Sequence, residues 1–488
     1  MNTSIQFQGF TTVAADALVF GAAEGTTPQT GNAAVDQWAA DLYASGEFTG
    51  KSFEIAVLHK PAGLSASRAV LIGSGKAEKL DSAMARKIGG AIVRLLKAKS
   101  MAKIAFVLDA SLQKTELVQA ITEGAVAGDY EPDANKSKKD SKHLDSFLLL
   151  AAGGSSDLAE ASRNGAVIGE AQNFARTLIN EPGNLLTPLK LAEHARLMAE
   201  AQGLACDILD EDRMTQLGMG SLLCVSQGSA QPPALIVLSY KPANPKPGVH
   251  LALIGKGVTF DTGGISIKPS ESMEKMKYDM AGGAAVIGAM MAIAQLKPDV
   301  EITAFVPTVE NMPSANAVRP GDIVTSLGGK TIEVINTDAE GRLILIDAIT
   351  YAKSLGVTCM VDAATLTGAI SVALGAVNVG AFSNNDAWQQ QVLDAAKGAG
   401  EKMWPMPMDD DYKDLLKCAF ADMPNIGSRG AGSITAALFL KEWVEDTPWV
   451  HLDIAGTAWI DEPKPFLSKG PTGVALRTFV ELARRLGS

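Results

Sequence analysis

The feature that most constrains this chain is a charged octet, N-T-D-A-E-G-R-L at residues 336–343, set between two apolar segments. Residues 331–335 are rich in β-branched side chains and predict a short strand, whereas residues 343–352 have the apolar spacing of a helix. The octet is therefore predicted to be a loop that joins a strand to a helix. Because α/β proteins carry reactive groups on loops at strand ends, this loop is a candidate site, although a solvated turn would have a similar composition.

A second transition from strand to loop is predicted upstream. The apolar residues 250–255 predict a strand ending at Lys256, and residues 257–264, G-V-T-F-D-T-G-G, predict a loop that carries Asp261. The two glycines at its end allow backbone angles closed to other residues and a close approach to a bound group. Asp279 then precedes an Ala/Gly/Met-rich segment predicted to be a buried helix, where it could also act as a helix cap.

Four carboxylates in these loops would repel one another if the fold brought them together, and burying them would be costly. They are Asp261, Asp279, Asp338 and Glu340. Two divalent cations would balance their charge, and oxygen ligands suit magnesium, manganese or zinc. The five histidines are scattered and none falls in these loops, which excludes an H-E-x-x-H zinc site.

Together these segments resemble the leucyl aminopeptidase family, in particular its bacterial aminopeptidase A type. The resemblance rests on three separated motifs in the right order and spacing: residues 255–264, the sequence M-K-Y-D-M at residues 276–280, and the octet. Weaker similarity extends from about residue 171 to the C-terminus. The resemblance implies a dinuclear metallo-aminopeptidase that releases N-terminal amino acids from peptides, with leucine and other apolar residues preferred.

The resemblance also implies the metal ligands. Asp261 and Glu340 would contact both ions, Asp338 would bind one ion, and Lys256 and Asp279 the other, with Mn²⁺ or Zn²⁺ as the metal. A lysine amine binds metal only when neutral, and its reference pKa is about 10.4, so the two cations would have to displace its proton. Without the resemblance, an ion pair between Lys256 and Asp261 would be the simpler interpretation.

The implied reaction uses a hydroxide shared by the two ions as the nucleophile. Lys268 would stabilise the oxyanion, and Arg342 would hold a bicarbonate ion that relays a proton. The residues alone leave simpler interpretations open, a surface lysine for Lys268 and a salt bridge between Arg342 and Glu340. The resemblance places three residues around an apolar pocket for the first side chain of the substrate: Met276, Thr365 and Ala455.

The order of predicted elements indicates an α/β protein with two domains of unequal size. Residues 1–155 predict a small N-terminal α/β domain, residues 156–185 a linking helix and loop, and residues 186–488 a larger α/β catalytic domain with a central mixed sheet. Predicted strands alternate with helices in the larger domain, at residues 234–239, 251–255, 301–306, 358–361 and 449–453. This alternation puts the candidate site at strand ends.

Composition agrees with a globular enzyme, since 47% of the residues are hydrophobic and 20% are charged. The first nine residues lack the basic start and apolar core of a signal peptide, and the four cysteines are far apart, as in a reducing compartment. These features predict a cytoplasmic protein. The apolar run at residues 280–296 is near the lower limit for a membrane span, but its small residues favour a buried helix over a membrane segment.

The sequence is compatible with two other functions. Some bacterial relatives of the resembled family also bind DNA as regulatory proteins, and the lysine-rich residues 136–142 are the candidate surface here. The net charge of −11 argues against strong non-specific DNA binding, and a solvated loop is the simpler interpretation. A metal-dependent phosphoesterase would use similar carboxylates.

The resemblance further implies a homohexamer whose active sites face an interior cavity.

Overall fold

A computed structural model describes residues 1–139 and 142–488 of the chain. Its contacts divide the chain into two compact units. The first comprises Met1–Asn173 and Asp461–Lys469, and the second comprises Phe174–Ile460 and Gly470–Ser488. Both units are α/β, and the larger one contains a mixed sheet, so the predicted fold class is confirmed.

The first unit is built on a six-stranded sheet. Its strands are β1 (Asn2–Phe7), β2 (Ala17–Ala23), β3 (Ile55–His59), β4 (Arg68–Gly75), β5 (Lys103–Leu108) and β6 (Ser146–Ala151). They are ordered β1-β6-β5-β2-β4-β3 in the sheet, and only the β3–β4 pair is antiparallel. Its helices are α1 (Ala33–Ser45), α2 (Ser82–Lys97) and α3 (Thr115–Gly128), and α4 (Ser156–Asn180) continues from this unit into the second.

Hydrophobic side chains cover both faces of this sheet. Val19 of β2 packs in a cluster with residues of α2 and α3, while its neighbours Leu18 and Phe20 pack in another cluster with α1. Strand residues alternate between faces, so a strand that is apolar on both sides must lie between two helical layers. The continuous apolar character of β2 is therefore explained by this three-layer arrangement.

The second unit contains a nine-stranded mixed sheet. Its strands are β7 (Ala205–Leu209), β8 (Ala234–Tyr240), β9 (His250–Gly255), β10 (Gly257–Asp261), β11 (Glu301–Asn311), β14 (Cys359–Ala364), β15 (Val379–Ser383), β16 (Met403–Pro405) and β18 (Trp449–Asp453). Eight of them are ordered β16-β15-β18-β14-β9-β11-β8-β7, and β10 pairs with β11 beside this order. Short pairings form smaller sheets from β12 (Asp322–Thr325), β13 (Thr331–Val334), β17 (Met423–Pro424), β19 (Trp459–Ile460) and β20 (Gly470–Pro471).

Helices accompany the strands along the second unit. They are α5 (Pro188–Gln202), α6 (Glu211–Leu217), α7 (Gly220–Ser226), α8 (Ala281–Leu296), α9 (Gly341–Ser354), α10 (Gly368–Leu374), α11 (Asp386–Gly398), α12 (Gly432–Val444) and α13 (Leu476–Gly487). Two 3₁₀ segments span Met273–Met280 and Asp410–Leu416. The segment Met273–Leu296 is long and apolar enough to cross a membrane by composition, but 83% of its most apolar window is buried inside the protein. The prediction of a buried helix is therefore confirmed.

Four neighbouring strands, β18, β14, β9 and β11, run parallel, so their carboxyl ends meet at one edge of the large sheet. The residues at this edge are Asp453, Ala364, Gly255 and Asn311. Crevices at the carboxyl edge of parallel strands are the usual location of sites in α/β proteins.

One prediction of local structure is wrong. Residues 257–264 were predicted to be a loop, but Gly257–Asp261 form β10, which pairs with the second half of β11. The reason is that β11 extends for 11 residues, beyond the end of β9, and so presents backbone groups to the chain after Lys256. Lys256 therefore lies between two consecutive strands that share one partner.

Candidate active site

The carboxyl edge of the large sheet gathers the five predicted metal ligands from separate segments. They are Lys256 between β9 and β10, Asp261 at the end of β10, Asp279 in the 3₁₀ segment before α8, and Asp338 and Glu340 in the loop between β13 and α9. One carboxylate oxygen from each of Asp261, Asp338 and Glu340 lies within 4.8 Å of the others. All five side chains are buried except that of Asp338, which is half-buried.

Lys256 lies among these carboxylates. Its Nζ is 2.7 Å from Oε1 of Glu340 and 2.8 Å from Oδ2 of Asp279, and it donates a hydrogen bond of 2.9 Å to the carbonyl of Thr365. Burial alone would lower the pKa of Lys256, but the two carboxylates outweigh it and raise the pKa above its ordinary value. The simpler interpretation, an ion pair with Asp261, is wrong in its partner, because Lys256 pairs with Asp279 and Glu340.

Asp261 is held by a different set of groups. Its Oδ1 accepts hydrogen bonds from the backbone N–H of Gly263 at 2.9 Å and from Nδ2 of Asn311 at 2.8 Å, while its Oδ2 lies 2.7 Å from Nζ of Lys268. The same ammonium contacts Asp338. The side chain of Lys268 is only 20% exposed, so the interpretation as an ordinary surface lysine is wrong.

The loop after Asp261 depends on its glycine pair. Gly263 and Gly264 have φ of 87° and 67°, in the left-handed region that favours glycine. A Cβ on Gly264 would also lie 2.7 Å from Oδ1 of Asn311. The Thr337 hydroxyl donates to the carbonyl of Gly263 at 2.6 Å and accepts the N–H of Ser266 at 2.8 Å. These bonds attach the octet to the Asp261 loop.

Asn425, a buried residue next to β17, supports the octet from its other side. Its Oδ1 accepts the N–H of Ile335 at 2.8 Å, and its Nδ2 donates to the carbonyl of Asn336 at 2.7 Å. Its own carbonyl accepts Nη1 of Arg342 at 2.8 Å. Asn425 therefore holds the start of the octet through its side-chain amide and Arg342 through its backbone carbonyl.

Arg342 has unused hydrogen-bonding capacity. The side chain is buried, and its Nε donates to no group among the described residues. The salt bridge to Glu340 that the sequence left open is absent from the described part of the chain. Burial lowers the pKa of Arg342 to about 10, against the opposing effect of Glu340. A buried guanidinium with a free donor, two residues from Glu340, is suited to hold a small anion.

The electrostatics of the cluster favour added cations. Burial, followed by the charge of Asp261, raises the pKa of Glu340 and of Asp338, and burial also raises the pKa of Asp279. Three buried oxygens accept no hydrogen bond from the described residues: Oδ2 of Asp279, Oδ1 of Asp338 and Oε1 of Glu340. Each lies beside a lysine ammonium without receiving an aligned hydrogen bond. Divalent cations would satisfy such oxygens and relieve their mutual repulsion.

The predicted substrate-pocket residues differ in their relation to the cluster. Thr365 belongs to it, since its hydroxyl donates to Oδ1 of Asp279 at 2.7 Å. Met276 is half-buried in the 3₁₀ segment that carries Asp279, and Ala455 follows β18 and packs against the main core of the second unit. Among the described residues, neither side chain enters the network of carboxylates and lysines.

Sequence reasoning missed three polar residues that support the site. Asn311 supports Asp261, Asn425 supports the octet, and Asp453 binds the loops that carry Thr365 and Ala455. Asn311 and Asp453 end apolar strands, a position that could have indicated them as residues of the carboxyl edge. Asn425 carries no comparable signal, because its partners are about 90 positions away in the sequence.

Comparison with known proteins gives consistent matches over both units. Residues 173–480 match the catalytic-domain model of the cytosol aminopeptidase family, and residues 18–139 match the N-terminal-domain model of the same family. A probable cytosol aminopeptidase of Solibacter usitatus is 56% identical over 483 residues, covering 99% of both chains. One from Koribacter versatilis is 52% identical over 92% of this chain and 91% of its own length.

Two solved structures are similar to this chain as well. A mutant of tomato leucine aminopeptidase superposes with a TM-score of 0.90 at 35% identity, over 99% of this chain and 96% of its own. The bottromycin maturation enzyme BotP, in complex with Mn, gives a TM-score of 0.87 at 33% identity, over 97% of this chain and 100% of its own.

Proposed function

This chain belongs to the cytosol aminopeptidase family and is an aminopeptidase, and we propose that five of its side chains hold two divalent metal ions for that reaction. The proposed ligands are Lys256, Asp261, Asp279, Asp338 and Glu340. Asp261 and Glu340 are assigned to both ions, Asp338 to one, and Lys256 with Asp279 to the other. The observation that carries the proposal is the set of buried carboxylate oxygens that converge on Lys256 and Lys268 and receive no aligned hydrogen bond from the described residues.

Manganese or zinc fits this donor set. Carboxylate oxygens with one amine nitrogen suit these borderline cations, and the structure of BotP was determined with Mn. When bound, two such ions supply a water of lowered pKa as the nucleophile, polarise the peptide carbonyl and anchor the free amine of the substrate. Anchoring the amine restricts hydrolysis to the first peptide bond.

Lys268 is proposed to stabilise the oxyanion that forms on the attacked carbonyl. Its ammonium lies between Asp261 and Asp338, and in the metal-free chain the surrounding carboxylates, Asp261 foremost, raise its pKa despite burial. A preorganised positive charge in a partly dehydrated site stabilises developing negative charge strongly. Lys268 would gain freedom to face the substrate when metal ions neutralise its two carboxylate partners.

Arg342 is proposed to bind a bicarbonate ion that relays the proton from the attacking water. The support is its free Nε, together with the contact that fixes its Nη1 to Asn425. A planar guanidinium matches a planar oxyanion through two parallel hydrogen bonds. The role predicts that Arg342→Ala keeps its metal, loses most of its kcat and no longer responds to added bicarbonate.

The preferred substrates are proposed to be peptides that begin with leucine or another apolar residue. Met276, Thr365 and Ala455 would form the wall of the first side-chain pocket, and an apolar pocket discriminates only modestly between neighbouring side chains. Activity should therefore be broad. A panel of amino-acid amides measured at one pH would give this ranking directly.

The experiment that tests the function compares Glu340→Gln with Lys268→Ala. Glu340→Gln should lose both metal and activity, because it removes a shared ligand. Lys268→Ala should retain two ions per chain while kcat for leucine p-nitroanilide falls roughly 10² to 10³-fold. Glu333→Gln, on β13 in the second unit, is the control and should match the parent in metal and rate. Full activity of Glu340→Gln would rule out the proposed centre.

The alternative activities are distinguished by substrate. A phosphoesterase would hydrolyse p-nitrophenyl phosphate and would tolerate a blocked substrate amine, whereas the proposed site should do neither. DNA binding stays a prediction for the lysine-rich residues 136–142, of which residues 140 and 141 lie outside the described residues. The homohexamer and the cytoplasmic location also remain proposals, in line with the cytosolic names of the relatives.

A further inference from the structure

A cavity of about 750 Å³ opens in the second unit next to β10, the strand that ends in the proposed metal ligand Asp261. The proposed reaction makes no use of this cavity. Its wall consists of residues 182–184, 187 and 228–231, two residues of the 3₁₀ segment before α8, and residues at or just beyond the ends of β10 and β11. None of the five proposed metal ligands contributes to this wall. The volume is in the range of small-molecule binding sites, about 300–1,000 Å³.

The strand register shows how the cavity relates to the metal site. Phe260 pairs with Glu310, and Asp261 pairs with Asn311, in the parallel ladder between β10 and β11. Successive strand residues face opposite sides, so these two pairs point in opposite directions. Asp261 and Asn311 hydrogen-bond to each other in the metal site, whereas Phe260 and Glu310 line the cavity. The same two strands thus form the support of the metal site and the floor of the cavity.

The cavity wall is closely packed. A Cβ on Gly183 would lie 3.2 Å from Cβ of Phe260, and one on Gly228 would lie 1.9 Å from the carbonyl oxygen of Met312. Both loops therefore approach the strand ends as closely as glycine allows. A site with such walls is largely pre-formed, which lowers the cost of ordering it on binding.

The polar groups of the cavity carry both signs of charge. Glu310 is half-buried, and its Oε2 accepts the hydroxyl of Ser229 at 2.6 Å, but it forms no salt bridge within the described residues. Glu274 lies at the exposed rim. The positively charged group of the wall is Lys277. Its Nζ donates to the carbonyl of Asn180 at 2.7 Å and lies 5.7 Å from the centroid of the Trp459 ring.

Apolar side chains, notably Phe260, Met312 and Pro313, line another part of the wall, and the uncharged polar residues Asn184, Thr187 and Gln231 complete it. A carboxylate without a cationic partner attracts an ammonium, and a lysine attracts a carboxylate. A ligand that carries both groups and an apolar side chain complements the two charges and the apolar part of the wall.

We propose that this cavity binds a free apolar α-amino acid, with its ammonium at Glu310, its carboxylate toward Lys277 and its side chain against Phe260 and Met312. The choice of ligand rests on the proposed function, because an apolar amino acid is the product that the site would release. An amino acid bound in the cavity would contact Phe260 of β10, and the next residue of that strand, Asp261, lies in the proposed metal site. Free leucine should therefore inhibit in a mixed rather than a purely competitive manner.

Selenium provides a direct test. Crystals of the manganese-loaded protein with ordinary methionine are soaked in free L-selenomethionine, and data are collected at the selenium edge and just below it. The difference isolates selenium from manganese. We expect a selenium peak in the cavity beside Phe260 and Met312. Selenium at the metal centre alone would overturn the second site while leaving the peptidase function intact.

Variants on one strand supply the matched control. Glu310→Gln should bind at that site roughly tenfold more weakly, so at the same soak concentration the selenium peak in the cavity and the non-competitive part of leucine inhibition should both decrease. Glu301→Gln, at the other end of β11 and paired with Lys241, should keep both. Purely competitive inhibition in the parent protein, or an undiminished cavity peak in Glu310→Gln, would contradict the proposal.

Discussion

At the residue scale, the unusual side chain is Lys256, a buried amine proposed as a metal ligand. Within the chain alone, Asp279 and Glu340 raise its pKa against the effect of burial, so it holds its proton at neutral pH. Metal binding requires the neutral amine of Lys256, so binding must release its proton.

This linkage gives a prediction with a definite sign. Because the pKa of Lys256 is raised, metal affinity should increase with pH across the neutral range, and binding should release at least one proton per chain. Calorimetric titration of the metal-free protein with Mn²⁺ in buffers of different ionisation enthalpy counts these protons. The Lys256→Ala variant should bind one ion fewer and release fewer protons. Equal heats in all buffers would exclude Lys256 from the metal shell.

At the scale of elements, the site depends on loops that are fastened to one another by buried polar side chains. Asp453, at the end of β18, accepts the Thr367 hydroxyl at 2.6 Å, the N–H of Leu366 at 3.3 Å and the N–H of Ala455 at 3.2 Å. It thereby joins the two loops that carry Thr365 and Ala455. Both loops are proposed to form the first side-chain pocket, which makes Asp453 a positioning residue for substrate selection.

The prediction is that Asp453→Asn lowers the ratio of kcat/KM for leucine amide over alanine amide roughly tenfold while metal content stays at the parent value. Glu401→Gln is the matched control. Glu401 is also buried and accepts the N–H groups of Ala475 and Thr478 at the start of α13. Both variants should lose stability, but only Asp453→Asn should change the ratio. An unchanged ratio in Asp453→Asn, or an equal change in both, would show that Asp453 is merely structural.

The sequence predicts the charged residues of the site better than the strand and the amide side chain that hold them in place. Asp261, Asp338 and Glu340 stand out because charged residues follow apolar strands, and the structure brings these three together. The strand Gly257–Asp261 was missed because its pairing depends on the length of β11, which lies downstream of it. Asn425 was missed because a lone amide in a polar segment is ordinary until the fold places it against the octet. Local periodicity contains no information about such distant partners.

At the scale of the whole molecule, composition and element order predicted two α/β regions of unequal size, and the fold class is confirmed. No sequence pattern indicated that Asp461–Lys469 would return to the first unit. Several large apolar side chains are exposed on the single chain, among them Val372 at 90% and Phe420 at 77%. Single exposed apolar side chains are normal on protein surfaces, so these residues are only candidates for contacts between subunits.

The assembly prediction follows from the resemblance to a hexameric family. Sedimentation equilibrium of the purified protein should give six times the chain mass of 50.9 kDa. If Val372 lies in a subunit contact, Val372→Glu should shift the distribution toward smaller species, because a buried unpaired charge is costly. A parent protein that sediments at the mass of one chain would contradict the hexamer.

Anomalous diffraction at the manganese edge, from crystals of the full chain grown in excess Mn²⁺, would locate the proposed metal ions. We expect two peaks per chain, both within coordinating distance of Glu340 and Asp261, with the amine of Lys256 on one of them. A single peak, no peak, or ions bound away from these carboxylates would contradict the proposed metal centre.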